Sequence, residues 1–447
     1  MGPRLIRVLV RALLAVFYRR VDVVGLEHVP AAGPLLVAGN HQNGLVDPML
    51  LIATMPRTLR PLAKSSLFRH PLIAPFLALA HALPVYRRQD ADGDTSRNAE
   101  TFRAVSSALT QGQAIVIFPE GVSQPEPTLK ALRTGAARLV LEAEAAGAPP
   151  VTLLPVGIVV NEPGRFRAGH AWVLIGAPVP LDDYRVLASR DPVAAVRMLT
   201  DRLTDALRHQ IVEAEDRETL RLLRVIERVW HEESGTAPTP RSAVWLQRAS
   251  RAYRWLRTTA PSDVEDFRRE VEEYADELDQ LGVRPETLGR QYAPSVVARY
   301  TAREVVPLLL GLPLAALGML LHALPYQLLA LGIRLARPDA DTEATYKIAG
   351  GVVIYPLTWA FEAWLVHRFV GTKWLVGFLL VLLPAGFFAL AWQARSQNVA
   401  REARGLLHFL ARRGLHERLV ERRQALAEDM ERLAARVPEA VLAGDAL

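Results

Sequence analysis

The sequence predicts an α/β domain with a mostly parallel central sheet and flanking helices, followed by a helical connector and C-terminal membrane helices. Between residues 21 and 190, short apolar runs alternate with amphipathic stretches, as strands alternate with crossover helices in a parallel sheet. Residues 191–300 are rich in charge and have helical periodicity. Residues 305–393 are strongly apolar and contain segments long enough to cross a bilayer.

The strands of the α/β domain are predicted from short, continuous apolar runs that end at glycine, proline or polar residues. These runs are residues 21–24, 35–38, 114–118, 151–156 and 171–175. Helices are predicted where the apolar residues recur at helical spacing, at residues 48–53, 67–80, 95–111 and 128–145.

Residues 1–20 have the composition of a basic amphipathic helix. Arg4, Arg7 and Arg11 recur along one helical face, and the apolar run at residues 12–17 is too short for a secretory signal and lacks a small-residue cleavage site. Two interpretations remain open: a helix that lies on an anionic membrane surface, or an ordinary first helix packed on the domain.

The connector and the apolar region carry their own signals. In the connector, Ser262 and Glu265 have the spacing of a capping box at the start of a helix. Residues 305–333 contain no Asp, Glu, Lys or Arg but three prolines, which predicts either one kinked span or a re-entrant pair of half-helices. Residues 349–366 and 374–392 form a second apolar pair, and residues 394–447 return to a basic amphipathic pattern.

Composition narrows the classes of function. The chain of 447 residues has no cysteine, which excludes disulfides, a thiolate nucleophile and thiolate metal ligands. A net charge of +6 combined with 50% hydrophobic residues indicates a membrane surface and no nucleic-acid partner. Only four of the 53 basic residues are lysines, a bias typical of a GC-rich bacterium, so Lys64 and Lys130 are candidates for positions that need an ammonium group.

The stretch "GNHQNGLVDPML", residues 39–50, places five polar side chains between a predicted strand and a predicted helix. Functional groups in α/β sheets commonly lie at such junctions. His41 with Asp47 is the minimum for a general base held by a carboxylate. The alternative is a helix N-cap beside a core histidine.

Three further motifs follow in order. They are "LPVYRRQD" at residues 83–90, "IFPEGVSQPEPTLKALRTGAAR" at 117–138 and "LLPVGI" at 153–158. With this order and spacing, residues 1–185 resemble the membrane glycerolipid acyltransferases, which esterify glycerol-3-phosphate or lysophosphatidate. The matching blocks are Asn40-His41…Asp47, residues 84–87, residues 118–121 with Arg133, and residues 154–156.

The histidine block departs from the commonest pattern of the family. Five residues separate His41 from Asp47, whereas four are usual, and one extra residue rotates a helical side chain by about 100°. Gly44 in the gap predicts a local bulge that absorbs the extra residue. The longer spacing, together with "TYKI" at residues 345–348, resembles the fungal-type branch that acylates glycerol-3-phosphate or dihydroxyacetone phosphate.

The resemblance implies roles for the two central residues. His41 takes the proton from an acceptor hydroxyl while the oxygen attacks an acyl thioester, and Asp47 orients the imidazole. A serine-hydrolase mechanism is excluded because "GVSQP" around Ser123 lacks the nucleophile elbow.

Other residues of the motifs are assigned to substrate binding. Arg87 and Arg133 are predicted to grip a phosphate, and Glu120 to bond another acceptor hydroxyl or to orient an arginine. Lys64 and Lys130 are candidates for the phosphates of the acyl donor. The remaining predicted binding residues are Asn40 and Gly121.

The predicted function is transfer of an acyl chain from acyl-CoA or acyl-carrier protein to the sn-1 hydroxyl of glycerol-3-phosphate or dihydroxyacetone phosphate in phospholipid biosynthesis. A lysophospholipid such as lysophosphatidate is the alternative acceptor, and a non-catalytic lipid-binding membrane protein is the alternative class. The acyl thioester is a co-substrate; no cofactor, metal or nucleic acid is implied, and the oligomeric state stays open. The expected location is the bacterial inner membrane with the catalytic domain on the cytoplasmic face. The basic tail is then cytoplasmic too, so an even number of crossings is predicted.

Overall fold

The computed structural model describes residues 2–71, 73–86, 98–160, 166–167, 169–235, 242–283, 288, 299–411 and 414–443. The chain divides into two compact units. Unit 1 comprises Met1–Leu220, Thr239–Ser250 and Arg337–Ala349, and unit 2 comprises Arg221–Pro238, Arg251–Ala336 and Gly350–Leu447.

Unit 1 is organised by one sheet, which in the described residues has seven strands in the order β1-β7-β6-β2-β5-β3-β4. Every neighbouring pair is parallel except β6 and β7. The predicted fold, an α/β domain on a mostly parallel sheet, is therefore confirmed. The strands are β1 (Arg20–Val24), β2 (Leu35–Gly39), β3 (Leu59–Lys64), β4 (Leu83–Val85), β5 (Ala114–Ile117), β6 (Thr152–Val160) and β7 (His170–Ile175).

Helices cover both faces of this sheet, because successive residues of a strand point to opposite sides. Val37 and Val116 belong to the core on one face, and Leu36 and Ile115 to the core on the other. The first core packs against α1 (Gly2–Phe17) and α2 (Val46–Thr54). The second packs against α4 (Asn98–Thr110), α5 (Gly135–Ala145) and α7 (Pro192–Arg208), while α3 (Ala74–Leu79) and α6 (Asp182–Ala188) are short.

Two of the predicted helices are shorter than expected. The stretch predicted at 67–80 is a 3₁₀ turn, Ser65–Arg69, followed by α3, because Pro71 disfavours helical backbone at His70, whose ψ is 120°. The helix predicted at 128–145 begins only at Gly135, since residues 130 and 133 bond with their backbone N–H groups to Glu120 and Pro119. Residues 95–97 of the third predicted helix lie outside the described residues.

Two arginines of α1 bond to backbone carbonyls of unit 1, and the membrane-surface interpretation of this helix stays a prediction. Arg7 donates to the carbonyl of Arg57, and Arg11 donates through Nε to the carbonyl of Ala53 at 2.8 Å. Ala53 lies in the last turn of α2, where carbonyls lack helical partners and a cation is favoured. Apolar residues of α1 are also exposed, Leu5 at 60% and Val8 at 66%.

Unit 2 holds the end of the connector, the apolar helices and the tail. Its helices include α10 (Pro261–Leu281), α11 (Val306–Leu321), α12 (Ala323–Ala336), α14 (Thr372–Ala411), α15 (Leu415–Ala434) and α16 (Glu439–Ala443). Helices α8 (Arg217–Glu233), α9 (Ser242–Thr259) and α13 (Glu343–Phe369) run from one unit into the other. The predicted capping box at Ser262 is wrong, because α10 starts two residues earlier than expected, with Ala260 as N-cap and Pro261 in its first turn.

Three helices in the described part of the chain are long and apolar enough to cross a membrane: Ala302–Leu321, Glu343–Phe369 and Thr372–Arg404. The apolar run predicted at 305–333 is divided at His322 into α11 and α12. Helix α11 lies antiparallel to α14, since Trp392 donates to the carbonyl of Leu308 at 2.8 Å and Gly318 contacts Ala385.

Candidate active site

The candidate site lies at the carboxyl edge of the central strands. Strand β2 pairs with β5 on one side and β6 on the other, so the residues that follow β2 and β5 emerge next to each other. His41 follows β2, and Glu120 follows β5. The two residues are hydrogen-bonded: the backbone N–H of His41 donates to Oε1 of Glu120 at 2.8 Å.

His41 and Asp47 form a bonded pair. Nδ1 of His41 lies 2.9 Å from Oδ2 of Asp47, and the same oxygen accepts the backbone N–H groups of Gln42 and Asn43 at 2.8 Å each. The side chain of Asp47 is fully buried, whereas that of His41 is 18% exposed. Because a carboxylate oxygen can only accept, Nδ1 carries the hydrogen, which leaves Nε2 as the nitrogen able to take a proton.

The extra residue between His41 and Asp47 is accommodated at Gly44. Its φ is +36°, and the turn is closed by the N–H of Val46, which donates to the carbonyl of Asn43 at 2.8 Å. Helix α2 begins at Val46, so Asp47 lies in the first turn and its side chain returns towards His41. This backbone agrees with the bulge expected at Gly44.

The plane of the His41 ring is fixed by Phe118. The two rings stack with centroids 4.2 Å apart and planes 17° apart. Phe118 follows β5, and a Cβ on Gly39, the last residue of β2, would lie only 3.2 Å from the phenylalanine ring. Gly39 therefore allows the ring to approach, and the imidazole is held by a stacked ring as well as by a carboxylate.

The side chain of Asn40 forms hydrogen bonds within the sheet. Its Oδ1 accepts the N–H of Ile158 at 2.6 Å and its Nδ2 donates to the carbonyl of Ile158 at 3.0 Å, so the side chain extends the pairing of β2 with β6 by one residue. It is 2% exposed. The sequence predicted contact with substrate; the structure gives Asn40 the role of anchoring the residue next to His41.

Glu120 likewise bonds to the backbone. Besides His41, it accepts the N–H of Lys130 on Oε2 at 3.0 Å, so both oxygens of its carboxylate have protein partners. Burial raises the pKa of Glu120, while these two backbone hydrogen bonds oppose the shift. The sequence predicted a bond to an acceptor hydroxyl or to an arginine. In the structure this carboxylate ties the turn at His41 to the loop at residues 119–134.

Gly121 and Arg133, both predicted to bind substrate, lie next to each other. Gly121 has a φ of +74°, and a Cβ there would be 2.7 Å from Nε of Arg133. The N–H of Arg133 donates to the carbonyl of Pro119 at 2.8 Å, which brings the arginine back over the glycine. The side chain of Arg133 is exposed, so an anion arriving from solvent can reach it.

The other predicted binding residues are spread along this edge. Lys64 ends β3 and is half-buried, and it pairs in register with Val85 of β4. Lys130 bonds to Glu120 through its backbone and exposes its side chain. Arg87 lies outside the described residues. Phosphate or donor binding by these residues remains a prediction.

Sequence reasoning missed a second His–Asp pair in unit 1. Nε2 of His170 lies 2.6 Å from Oδ2 of Asp22, and the ring of His170 stacks on Trp172. Asp22 also accepts from Nε of Arg20 at 2.8 Å, so its charge is shared with a guanidinium. Asp47 instead bonds to His41 and to two backbone N–H groups, so the two pairs differ in the partners of their carboxylates.

The described residues contain no group of three or more His, Asp or Glu side chains arranged to hold one metal ion. The chemistry that the arrangement at His41 can perform is proton transfer by an oriented imidazole. Anion binding at Arg133 is the second capacity of the same edge.

Residues 20–159 match the protein family described as Acyltransferase. The chain is 25% identical over 192 residues to human 1-acyl-sn-glycerol-3-phosphate acyltransferase alpha, covering 42% of this chain and 66% of the human protein. It is 29% identical over 145 residues to glycerol-3-phosphate O-acyltransferase 2 of Saccharomyces cerevisiae, covering 32% of this chain and 19% of the yeast protein. The chain thus spans just under two thirds of the human relative and about a fifth of the yeast one.

A solved structure is also similar, the 1-acyl-sn-glycerophosphate acyltransferase PlsC from Thermotoga maritima. The match covers 44% of this chain and 79% of that chain, at 22% identity and a TM-score of 0.33. The family match and the relatives support a glycerolipid acyltransferase domain in residues 20–159. They include relatives named for two different acceptors, so they support the wider family and not the fungal-type branch in particular.

Proposed function

We propose that the protein is a membrane O-acyltransferase that moves a fatty acyl chain from an acyl thioester to the sn-1 hydroxyl of glycerol-3-phosphate or dihydroxyacetone phosphate. The observation that carries the proposal is the His41–Asp47 pair, bonded at 2.9 Å within a domain that matches the acyltransferase family. A lipid-binding protein without catalysis has no need of an oriented imidazole that is partly open to solvent.

The reaction needs one base and no covalent enzyme intermediate. Nε2 of His41 takes the proton from the acceptor hydroxyl as its oxygen forms a bond to the thioester carbonyl carbon. Asp47 stabilises the imidazolium that results. The C–S bond then breaks, and the imidazolium returns the proton to the leaving thiolate, so the products are an ester and a free thiol. Acyl-CoA and acyl-carrier protein are both suitable donors.

The acceptor's phosphate is assigned to Arg133, with Arg87 as a second candidate from the sequence. The side chain of Arg133 is exposed, and a guanidinium can bond a phosphate through two N–H groups. Lysophosphatidate is the second candidate acceptor, because the human relative is named for 1-acyl-sn-glycerol-3-phosphate. Both acceptors offer a phosphate and a neighbouring hydroxyl.

We also propose that the protein resides in the bacterial inner membrane with its catalytic domain on the cytoplasmic side. The three apolar helices support membrane association. Acyl thioesters and phosphorylated glycerol are cytosolic, and the arginine-rich tail after residue 394 favours the cytoplasm for the C-terminal end.

The test is an acyl-transfer assay on the purified full chain in lipid nanodiscs. Labelled acyl-CoA or acyl-carrier protein is offered with glycerol-3-phosphate, dihydroxyacetone phosphate or lysophosphatidate. The wild-type protein is expected to acylate at least one acceptor, and His41→Ala to lower that rate by about 10² to 10⁴. The matched control is His170→Ala, which removes the other His–Asp pair of unit 1 and should retain transfer.

Three outcomes would contradict the proposal in different ways. Transfer to lysophosphatidate alone would make lysophosphatidate the acceptor and would leave the proposed role of His41 unchanged. Loss of transfer in His170→Ala but not in His41→Ala would assign the general base to His170 of the pair with Asp22. Lipid binding without transfer to any acceptor would favour the non-catalytic alternative.

A further inference from the structure

A short segment from the apolar half of the sequence belongs to the catalytic unit. Residues Arg337–Ala349 are part of unit 1, although the residues before and after them are part of unit 2. Ala344 is fully buried and Ile348 is nearly so, and both belong to the core that contains Val46 and Met49 of α2. The segment therefore packs on the helix that carries Asp47.

Thr345 of this segment bonds the start of that helix. Its Oγ1 accepts the N–H of Leu45 at 3.0 Å, across 300 residues of sequence. Leu45 is the N-cap of α2 and supplies no side-chain cap itself. The first N–H groups of a helix need partners from outside it, and Thr345 supplies one within two residues of Asp47.

The approach of the segment to the turn at His41 is close. A Cβ on Gly44 would lie 2.8 Å from Oγ1 of Thr345 and 3.1 Å from the carbonyl oxygen of Asp341. Glycine at position 44 therefore has two effects: it allows the positive φ, and it leaves room for the contact with residues 341–345. The five-residue spacing between His41 and Asp47 places Gly44 where the segment arrives.

The same segment also reaches the second turn of the site. The carboxylate of Asp341 accepts a hydrogen bond from the hydroxyl of Ser123. Ser123 follows Glu120 and Gly121 in the loop after β5, and the next residue, Gln124, donates its N–H to the carbonyl of His41 at 3.0 Å. Residues 341–345 thus bond to both turns that hold His41.

We propose that residues 337–349 form a clamp of the active site, in which the Thr345 hydroxyl is a positioning group for the His41–Asp47 pair. The inference rests on the proposed function, because it assigns to Thr345 a role in the same proton transfer. Thr345 fixes the start of α2, α2 fixes Asp47, and Asp47 fixes the imidazole. A displacement of about 1 Å in such a chain can lower a rate by about 10²-fold without any loss of substrate contacts.

The experiment uses three variants of the full chain in nanodiscs. Thr345→Val keeps the shape of the side chain and removes the hydroxyl, and Thr345→Ser keeps the hydroxyl. The matched control is Thr358→Val, which removes a buried hydroxyl of the same helix that bonds the carbonyl of Ile354 one turn earlier. Transfer rates are measured with both substrates varied, and hydrogen exchange is measured over residues 42–52.

Thr345→Val is expected to lower kcat by about ten- to a hundredfold while both KM values change by less than about twofold. Thr345→Ser should recover most of the rate, and Thr358→Val should retain it. Amides of residues 42–52 should exchange faster in Thr345→Val than in the wild-type protein or in Thr358→Val, because the first turn of α2 loses a partner.

Two results would overturn the clamp. One is a Thr345→Val variant with wild-type kcat and wild-type exchange at residues 42–52. The other is equal loss of rate in Thr345→Val and Thr358→Val, which would indicate general destabilisation of the helix. Failure of the proposed function is distinguishable, because in that case the wild-type protein transfers no acyl group, while the exchange measurement still reports on the contact with Leu45.

Discussion

At the scale of single residues, the candidate site is built more from backbone hydrogen bonds than from contacts between functional side chains. One oxygen of Asp47 receives Nδ1 of His41 and two backbone N–H groups, and both oxygens of Glu120 receive backbone N–H groups. Such bonds fix the backbone segments that they join. Both acids of the site therefore hold the position of His41, and the proposed reaction assigns the proton transfer to its imidazole.

Arg133 carries the clearest prediction for substrate binding. If its guanidinium bonds the phosphate of the acceptor, Arg133→Ala should raise the acceptor KM by about ten- to a hundredfold, the range expected for loss of a charged hydrogen bond. The KM of the acyl donor should change little, and Arg133→Lys should recover only part of the loss because an ammonium lacks the planar fork. Steady-state kinetics with each substrate varied in turn give both values.

The neighbouring glycine and an unrelated arginine serve as controls for Arg133. Gly121→Ala should give the same pattern in a milder form, because the added Cβ would meet Nε of Arg133 at 2.7 Å and displace the guanidinium. Arg138→Ala should be without effect, since this exposed arginine pairs with Glu142 one turn along α5. An unchanged acceptor KM in Arg133→Ala would assign the phosphate to another cation, with Arg87 next in line.

The sequence could predict those features of the site whose bonded residues are close together along the chain. His41, Asp47 and Gly44 are local to one motif, so their arrangement could be inferred from spacing. The partners of Asn40 and Glu120 lie 118 and 79 residues away, and the hydroxyl that caps Leu45 lies 300 residues away. No pattern in a single sequence indicates which buried side chain will meet a given backbone N–H, because that depends on tertiary packing.

At the scale of secondary-structure elements, the same limit separates the five strands that were predicted from the two, β3 and β4, that were missed. Strands β2 and β5 are continuous apolar runs in the centre of the sheet, and they were predicted almost to the residue. Strand β3 reads "LRPLAK", with an arginine and a proline in it, and neither apolar continuity nor alternation indicates a strand there. Pairing with β5 and β4 creates it.

Helix α1 provides a prediction at this scale, because its arginines stabilise a neighbour. Arg11 bonds the carbonyl of Ala53 in the last turn of α2, where a cation contributes about 1 kcal/mol. Arg11→Leu should therefore lower the Tm of the detergent-solubilised protein by about 2–4 °C, the shift expected for a unit of this size. The control is Arg4→Leu, an exposed arginine of the same helix, which should leave the Tm within error. Equal Tm values for the two variants would remove the role assigned to Arg11.

At the scale of the whole molecule, the ion pairs of unit 2 restrict how the chain can cross a membrane. Helix α10 precedes the apolar helices and α15 follows them, yet Arg418 pairs with Glu277 at 2.7 Å and Arg422 pairs with Glu273 at 2.9 Å. Two polar helices that share ion pairs must lie on the same side of a bilayer. We therefore expect an even number of complete crossings, although three helices in the described part of the chain are long enough to span.

The lengths and packing of the apolar helices predict which of them crosses completely. Helix α12 lies antiparallel to the part of α13 within unit 2, since Leu329 contacts Gly350 and His322 contacts Trp359. We predict that the chain enters along α11, turns at His322 and returns along α12 as a re-entrant pair. Helices α13 and α14 are then expected to be the two complete crossings, in a hairpin whose turn is at residues 370–371.

This topology can be measured by labelling single introduced cysteines, because the sequence contains no cysteine and the wild-type chain gives no thiol-labelling signal. Val370→Cys, at the turn of the hairpin, should react with a membrane-impermeant maleimide from outside intact cells. Ala435→Cys, after α15, should react only once the inner membrane is permeabilised. Ala323→Cys, at the turn between α11 and α12, should stay unreactive from outside, because a complete crossing by α11 would need α12 to cross back, and its 14 residues span only about 21 Å of the roughly 30 Å required. Labelling of Ala323→Cys from outside would make α11 a complete crossing, and labelling of Ala435→Cys from outside would contradict the even number that the ion pairs between α10 and α15 require.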